Sequence, residues 1–303
     1  MDGAFMSGRQ GVSSVKPFRI ADATRIGYVH LRVRDLERSL AFYLDVLGFK
    51  LVSGGAHTAT LSATGRGPGL IVLTARKDAP PRPPRSTGLY HFAIRVPGRR
   101  ALAMMIRHLE EAQWPVQGYA DHDVSEAVYL ADPDGIGIEI YADRPRDEWP
   151  LRNGQVEMVT EPLELDHLMR ELDTWPGEWE GIDPATDIGH MHLRVSSLEA
   201  ADEFYHVLLG FDVMQRDMVG ALFLAAGGYH HHIGVNTWAS EGGQRPPADA
   251  VGLISFGVQV PDAETLRELG QRLAAVGSPI WNQDDGSLRA ADPDSIFIEF
   301  FTR

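Results

Sequence analysis

The chain has 303 residues, 44% of them hydrophobic and 23% charged, with no cysteine and a formal net charge of −14. That length supports two ordinary domains, each with its own core, and the composition is that of a globular protein. The lack of cysteine excludes disulfides, thiolate metal sites and cysteine nucleophiles. The acidic balance disfavours a nucleic-acid partner, and no stretch approaches the roughly 20 continuous apolar residues of a membrane span.

In chain order, residues 1–24 lack the charged-then-apolar pattern of a secretory signal and are expected to form a loosely ordered lead-in. With no export pattern, the cytoplasm is the expected compartment. Residues 25–145 open on IGYVHLRV from Ile26, whose alternation predicts a half-buried strand. Leu36, Leu40, Tyr43 and Leu47 then recur at helical spacing, and Gly48 supplies a stop. Short apolar runs divided by turn residues follow and read as hairpin strands. From Gly88 the order begins again. HFAIRV predicts a strand; Leu102, Ile106 and Leu109 predict a helix; VYLADPDGIGIEIY predicts two strands about an Asp-Pro-Asp-Gly turn.

Residues 146–186 interrupt this order as a connector. LELDHLMREL predicts a short helix, and WPGEWEGIDPATD an irregular stretch whose Trp175 and Trp179 are expected at a domain seam rather than at a site mouth. Residues 187–303 then repeat the first half. The segments at Ile26, Gly88 and Asp132 return at Ile188, Gly252 and Asp292, with offsets of 162, 164 and 160 residues. A search for internal repeats therefore settles the organisation. The expected fold class is α+β, with four βαβββ modules in two tandem duplicated halves.

This arrangement resembles the vicinal-oxygen-chelate superfamily of glyoxalase I, the bleomycin-resistance proteins and the extradiol dioxygenases. The resemblance covers Arg25 to Arg303. It implies a metal held by a His on the first strand of a module and a carboxylate on the last. At the first-strand position the four modules carry Tyr28, His91, His190 and Ser255; at the last-strand position the second and fourth carry Glu139 and Glu299. The implied ligand set is His91, Glu139 and His190, a 2-His-1-carboxylate face of the kind that suits Fe(II), with Mn(II) fitting the same ligands. His192 lies one step along the strand from His190, and His30 one step from Tyr28, so either replaces His190 if the register shifts. Glu299, without a His at Ser255, reads as a relic of duplication.

ADHDVSEAVYLADPDGIGIE (120–139) is similar to the extradiol dioxygenase signature through His122, Val128-Tyr129, Pro133, Gly135 and Glu139, and departs from it at Ala120. The resemblance implies that His122 and Tyr129 face the substrate ring. In LFLAAGGYHHHIGVNTW (222–238) it implies that His231 is the acid–base group; by strand alternation, either His231 or His230 with His232 points into the cup. GYHHHIGVNTW, GLYHFAI and IEIYADRPRDEW look most like the two-domain catechol 2,3-dioxygenase subgroup. The implied activity is extradiol cleavage of a small aromatic diol by O₂ at Fe(II), without nucleic acid or membrane. A homo-oligomer is compatible with β-rich paired domains. The alternatives within the superfamily are a hydroquinone-cleaving dioxygenase, a glyoxalase-like lyase or isomerase, and a binding protein. The lyase needs a second carboxylate, which IGVNTW does not offer.

Overall fold

The computed structural model describes residues 18–152, 155–175 and 177–302. Of the expected lead-in, residues 1–17 lie outside the described residues. Ile20, by contrast, is buried, and its N–H donates to the Gly210 carbonyl at 2.9 Å. The first module comprises β1 (Arg25–Val33), α1 (Leu36–Ala41), β2 (Lys50–Gly54), β3 (Thr58–Ser62) and β4 (Ile71–Ala75). The second comprises β5 (Gly88–Val96), α2 (Arg99–Glu111), β6 (Val116–Asp121), β7 (Ser125–Ala131) and β8 (Gly137–Asp143). The connector contributes β9 (Leu151–Arg152), β10 (Gln155–Val156) and α3 (Leu165–Met169). The third module has β11 (Asp187–Arg194), α4 (Leu198–Ala201), β12 (Asp212–Gln215), β13 (Ala221–Ala225) and β14 (Ile233–Asn236). The fourth has β15 (Gly252–Gln259), α5 (Ala263–Ala275), β16 (Ile280–Asn282), β17 (Leu288–Ala291) and β18 (Phe297–Phe301). No described helix is long and apolar enough to cross a membrane.

Helix starts follow ordinary capping chemistry. The side chains of Asp35, Ser197 and Asp262 accept backbone N–H bonds at the N-termini of α1, α4 and α5. The helices of modules 1 and 3 widen to π-helix over Phe42–Val46 and Asp202–Leu208. Gly48 ends the first at φ +77°, and a Cβ there would lie 2.5 Å from the Ile182 nitrogen of the connector. Only glycine satisfies both constraints.

The two π-helical turns dock on the Asp-Pro-Asp turns of the following modules. Tyr43 donates to Asp132 at 3.2 Å, and Tyr205 to Asp292 at 2.9 Å. Burial pushes Asp132 up to about 6 and Asp292 up to about 7, against the backbone N–H bonds that favour their ionised forms. Both folded values lie above the unfolded one. Their stabilising contribution is therefore complete below about pH 4 and is lost as pH rises through about 7. In Asp292→Asn, the stability difference between pH 5 and pH 8 in urea unfolding is expected to shrink by roughly 1–3 kcal/mol. An unchanged pH slope would show that Asp292 is already ionised in the fold.

The strands form two eight-stranded sheets, ordered β16-β17-β18-β15-β1-β4-β3-β2 and β12-β13-β14-β11-β5-β8-β7-β6. β1 pairs antiparallel with β15, and β5 with β11. Each sheet thus takes one module from each half of the chain: modules 1 and 4 in one, modules 2 and 3 in the other. Strand alternation divides each sheet into two faces. Val29, Leu31, Phe92, Ile94, Met191, Leu193, Phe256 and Val258 join one continuous apolar core, while the residues between them face the concave side.

The connector closes the second sheet. β6 and β12 are its two edges. Asp121 beside β7 exchanges backbone bonds with Glu161 at 2.9 Å, and Gln215 at the end of β12 donates to the Met158 carbonyl at 3.1 Å. The segment 158–161 therefore straps the edges together. Trp179 stacks on His108 of α2 with centroids 4.2 Å apart, and Trp175 lies under Arg100, so both tryptophans sit on the helical side.

Candidate metal centre and active site

Three adjacent strands build the site. Ala93 on β5 is opposite His190 on β11 and opposite Glu139 on β8. These three residues form one row across the concave face, with the small Ala93 in the middle. His91 lies two residues along β5 and so shares that face. The outcome is a cluster of His91, Glu139 and His190, each less than a tenth exposed, with donor atoms within 4.8 Å of one another.

Glu139 Oε2 is 3.0 Å from His91 Nε2 and 3.2 Å from His190 Nε2. Two donors each about 2.1 Å from a metal and at right angles lie about 3 Å apart, so the spacing fits adjacent positions of one coordination sphere. His91 Nε2 is buried and makes no hydrogen bond among the described residues, even with the carboxylate beside it. An imidazole nitrogen in that condition is costly unless a metal completes it. The residues fit a divalent ion. Burial alone would raise Glu139, but His190 and His91 hold it well below the usual carboxylate range. Burial lowers His190 to about 4. Glu139 is then a carboxylate and His190 a neutral imidazole, the protonation states in which these groups bind metal.

The nearby alternatives are placed elsewhere. His192 pairs with His91 across β11 and β5, but its Nε2 accepts from Asn236 Nδ2 at 3.0 Å. His30 lies in the other sheet, bonded to Thr74 Oγ1 at 2.8 Å. That sheet has the same row, made of Tyr28, Gly257 and Glu299, with Ser255 at the His91 position. There Tyr28 donates to the Glu299 carboxylate and Arg289 lies 4.0 Å from it. A cavity of about 190 Å³ opens beside these groups, yet it offers no imidazole donor. Glu299 is thus engaged by a phenol and has a guanidinium nearby, with no imidazole beside it at the Ser255 position.

The remaining predicted residues flank the cluster. On the β7 side, His122 Nδ1 donates to the Val159 carbonyl of the strap at 2.6 Å, leaving Nε2 to accept from the Tyr129 hydroxyl at 2.7 Å. The Tyr129 ring lies 5.7 Å from His91, and burial with Glu139 beside it pushes the phenol well up. On the β14 side, the His231 ring lies against His190 with centroids 4.0 Å apart and the planes tilted by 44°. Burial, then the neighbouring histidines, hold His231 well below the usual imidazole range.

The histidine tract is not a strand, so simple alternation does not apply to it. It is a turn entering β14, set by Gly227 and Gly228 at φ +60° and +68°. Arg146 donates to both their carbonyls, at 2.6 and 2.5 Å. His230 points back to Asp143 at 2.9 Å, with its Nδ1 2.8 Å from His231 Nδ1. His232 accepts from the Ala226 N–H at 3.1 Å. Asp143, Arg146 and Asn236 escaped the sequence reading. Each sits at a strand end or loop, where such residues ordinarily face solvent.

Comparisons with known proteins bear on the family and the fold. Residues 25–140 and 187–300 match the family model of the Glyoxalase/Bleomycin resistance protein/Dioxygenase superfamily. Over 279 residues the chain is 42% identical to catechol-2,3-dioxygenase of Bacillus subtilis (strain 168), covering 91% of this chain and 96% of that protein. A solved putative dioxygenase from Bacillus subtilis superposes with a TM-score of 0.65 at 15% identity, over 94% of this chain and 86% of that one. Glyoxalase I from Zea mays superposes with a TM-score of 0.53 at 18% identity, over 92% of each. At such identities the two structures speak for the fold alone. With the duplicated modules, the cross-half sheets and a relative sharing two-fifths of its residues, this chain belongs to the glyoxalase/bleomycin resistance protein/dioxygenase superfamily, on its extradiol dioxygenase side.

Proposed function

We propose that this chain is an extradiol ring-cleaving dioxygenase that opens a catechol-type aromatic diol with O₂, using Fe(II) held by His91, Glu139 and His190. One observation carries the reading: a buried cluster with two imidazoles and a single carboxylate, flanked on both sides by proton-handling groups. A glyoxalase-like lyase needs a second carboxylate from the partner module, and β14, reading IGVN, brings none.

Three protein ligands leave positions open for a diol and O₂, and the metal would supply redox coupling between them. Mn(II) satisfies the same donors. The chain's own residues do the rest. His231, neutral at ordinary pH, takes a proton from a diol hydroxyl at Nε2 and returns it during ring opening. Tyr129, its hydroxyl fixed by His122 Nε2, holds the opposite edge of the substrate and steadies developing charge. The strap, through the Val159 carbonyl, fixes the tautomer of His122.

Oxygen uptake tests the reading. After anaerobic loading with Fe(II) or Mn(II), the protein is expected to hold about one ion per chain and to consume O₂ with a catechol, giving a ring-opened product. The panel includes hydroquinones, because the same three ligands serve their cleavage. No uptake with any diol would remove the dioxygenase reading.

A further inference from the structure

Asp143 and His230 belong to neither the ligand set nor the substrate wall, yet both are directed at His231. Asp143, at the end of β8, collects donors: Arg95 Nη1 reaches Oδ2 at 3.2 Å, Tyr229 donates to both oxygens at 3.0 Å, and His230 Nε2 lies 2.9 Å from Oδ1. Tyr141 donates to Tyr229 in turn at 2.6 Å. Trp149 lies edge-on to His230 with centroids 5.3 Å apart, and His230 is fully buried. The His230 ring therefore has one orientation, and a carboxylate so surrounded can only accept. His230 must carry its proton on Nε2.

We infer that Asp143 and His230 are positioning residues that fix the tautomer of His231, so that His231 offers an unprotonated Nε2 to the substrate. The logic is a chain of donors. When His230 carries a single proton, the one on Nε2 that faces Asp143, it has a lone pair on Nδ1. That atom lies 2.8 Å from His231 Nδ1, which must then be the donor. An imidazole with its proton on Nδ1 has its lone pair on Nε2. Among the described residues the hydrogen bond of His231 is made at Nδ1, which leaves Nε2 as the free end of the chain. Without this arrangement the two tautomers would compete, and one of them presents N–H where a base is needed. The inference rests on the proposed role of His231, but the tautomer can be measured without turnover.

Asp143→Asn gives a directional test. Arg95 needs an acceptor at the Oδ2 position, so the amide oxygen is held there and the NH₂ is turned toward His230. His230 must then accept at Nε2 and carry its proton on Nδ1. That proton faces His231 Nδ1, which becomes the acceptor, and His231 Nε2 gains the hydrogen. The experiment is ¹⁵N-histidine NMR on the full-length chain, metal-free and loaded with diamagnetic Zn(II). Signals are assigned with His230→Gln and His231→Gln. The expected wild-type pattern is His230 protonated on Nε2 and His231 on Nδ1, with both reversed in Asp143→Asn. Turnover of the Fe(II)-loaded variant is expected to fall at least about tenfold in kcat with metal content unchanged, within the range for losing a general base. Wild-type His231 protonated on Nε2 overturns the inference. So does a loss of turnover in Asp143→Asn with both tautomers unmoved, which would be a packing effect. If the wild type consumes no O₂ with any diol but shows the expected tautomers, the positioning stands and the dioxygenase reading falls.

Discussion

In His190→Ala, metal binding is expected to collapse although His91 and Glu139 remain. Groups that merely orient a ligand are worth roughly 10–100-fold in metal affinity, so losing a ligand should exceed 100-fold. The effect is informative because His190 is 99 residues from His91 in sequence and belongs to the other half of the chain. Its presence beside Ala93 depends on the antiparallel pairing of β5 with β11. The paired controls are His30→Ala and Glu299→Gln. Both lie in the other sheet, where Thr74 and Tyr28 already engage them, and both variants should keep about one ion per chain. Metal analysis after anaerobic loading and desalting reads the result. A His190→Ala protein that keeps its metal while His30→Ala loses it would place the centre in the wrong sheet.

His231→Ala should behave in the opposite way, retaining metal and losing turnover. Its ring lies tilted against His190 and makes no polar contact to Glu139 among the described residues, so removing it deletes no donor. General acid–base groups contribute roughly 10²–10⁴-fold, and that is the loss expected in kcat. A fall smaller than tenfold would end the acid–base assignment, and a parallel loss of metal would make His231 a ligand. The truncation also leaves His230 Nδ1 without its partner, so thermal unfolding of the variant should be recorded alongside kinetics.

Much of this protein is written in its repeats. Duplicated segments at Ile26 and Ile188, and at Gly88 and Gly252, define the modules because a βαβββ unit leaves its hydrophobic alternation and its helix stop in the sequence. Read on that register, the resemblance to the superfamily implies His91, Glu139 and His190 as the ligand set, because the other modules carry Tyr, Ser or no carboxylate at those positions. What periodicity does not contain is which module lies beside which. That is decided by edge-to-edge pairing of β1 with β15 and β5 with β11, a contact between residues more than 90 apart that leaves no local pattern.

The tertiary structure also decided the direction of the three adjacent histidines. Alternation could only narrow the choice, and the tract turns out to be a glycine-set turn gripped by Arg146 rather than a strand. Asp143 is the extreme case. In the sequence it is one aspartate among many acidic residues; in the fold it gathers Arg95, Tyr229 and His230. The sequence by itself therefore determined the modules, because strand alternation and repeat register are local properties of the chain, and its motifs carried the superfamily resemblance that implies the three ligand candidates. Only the tertiary structure decided that His190 and not His192 or His30 completes the cluster, that the connector straps the cup, and that His231 is backed by a hydrogen-bonded chain. Those outcomes depend on distances between residues whose separation along the chain carries no information about their separation in space.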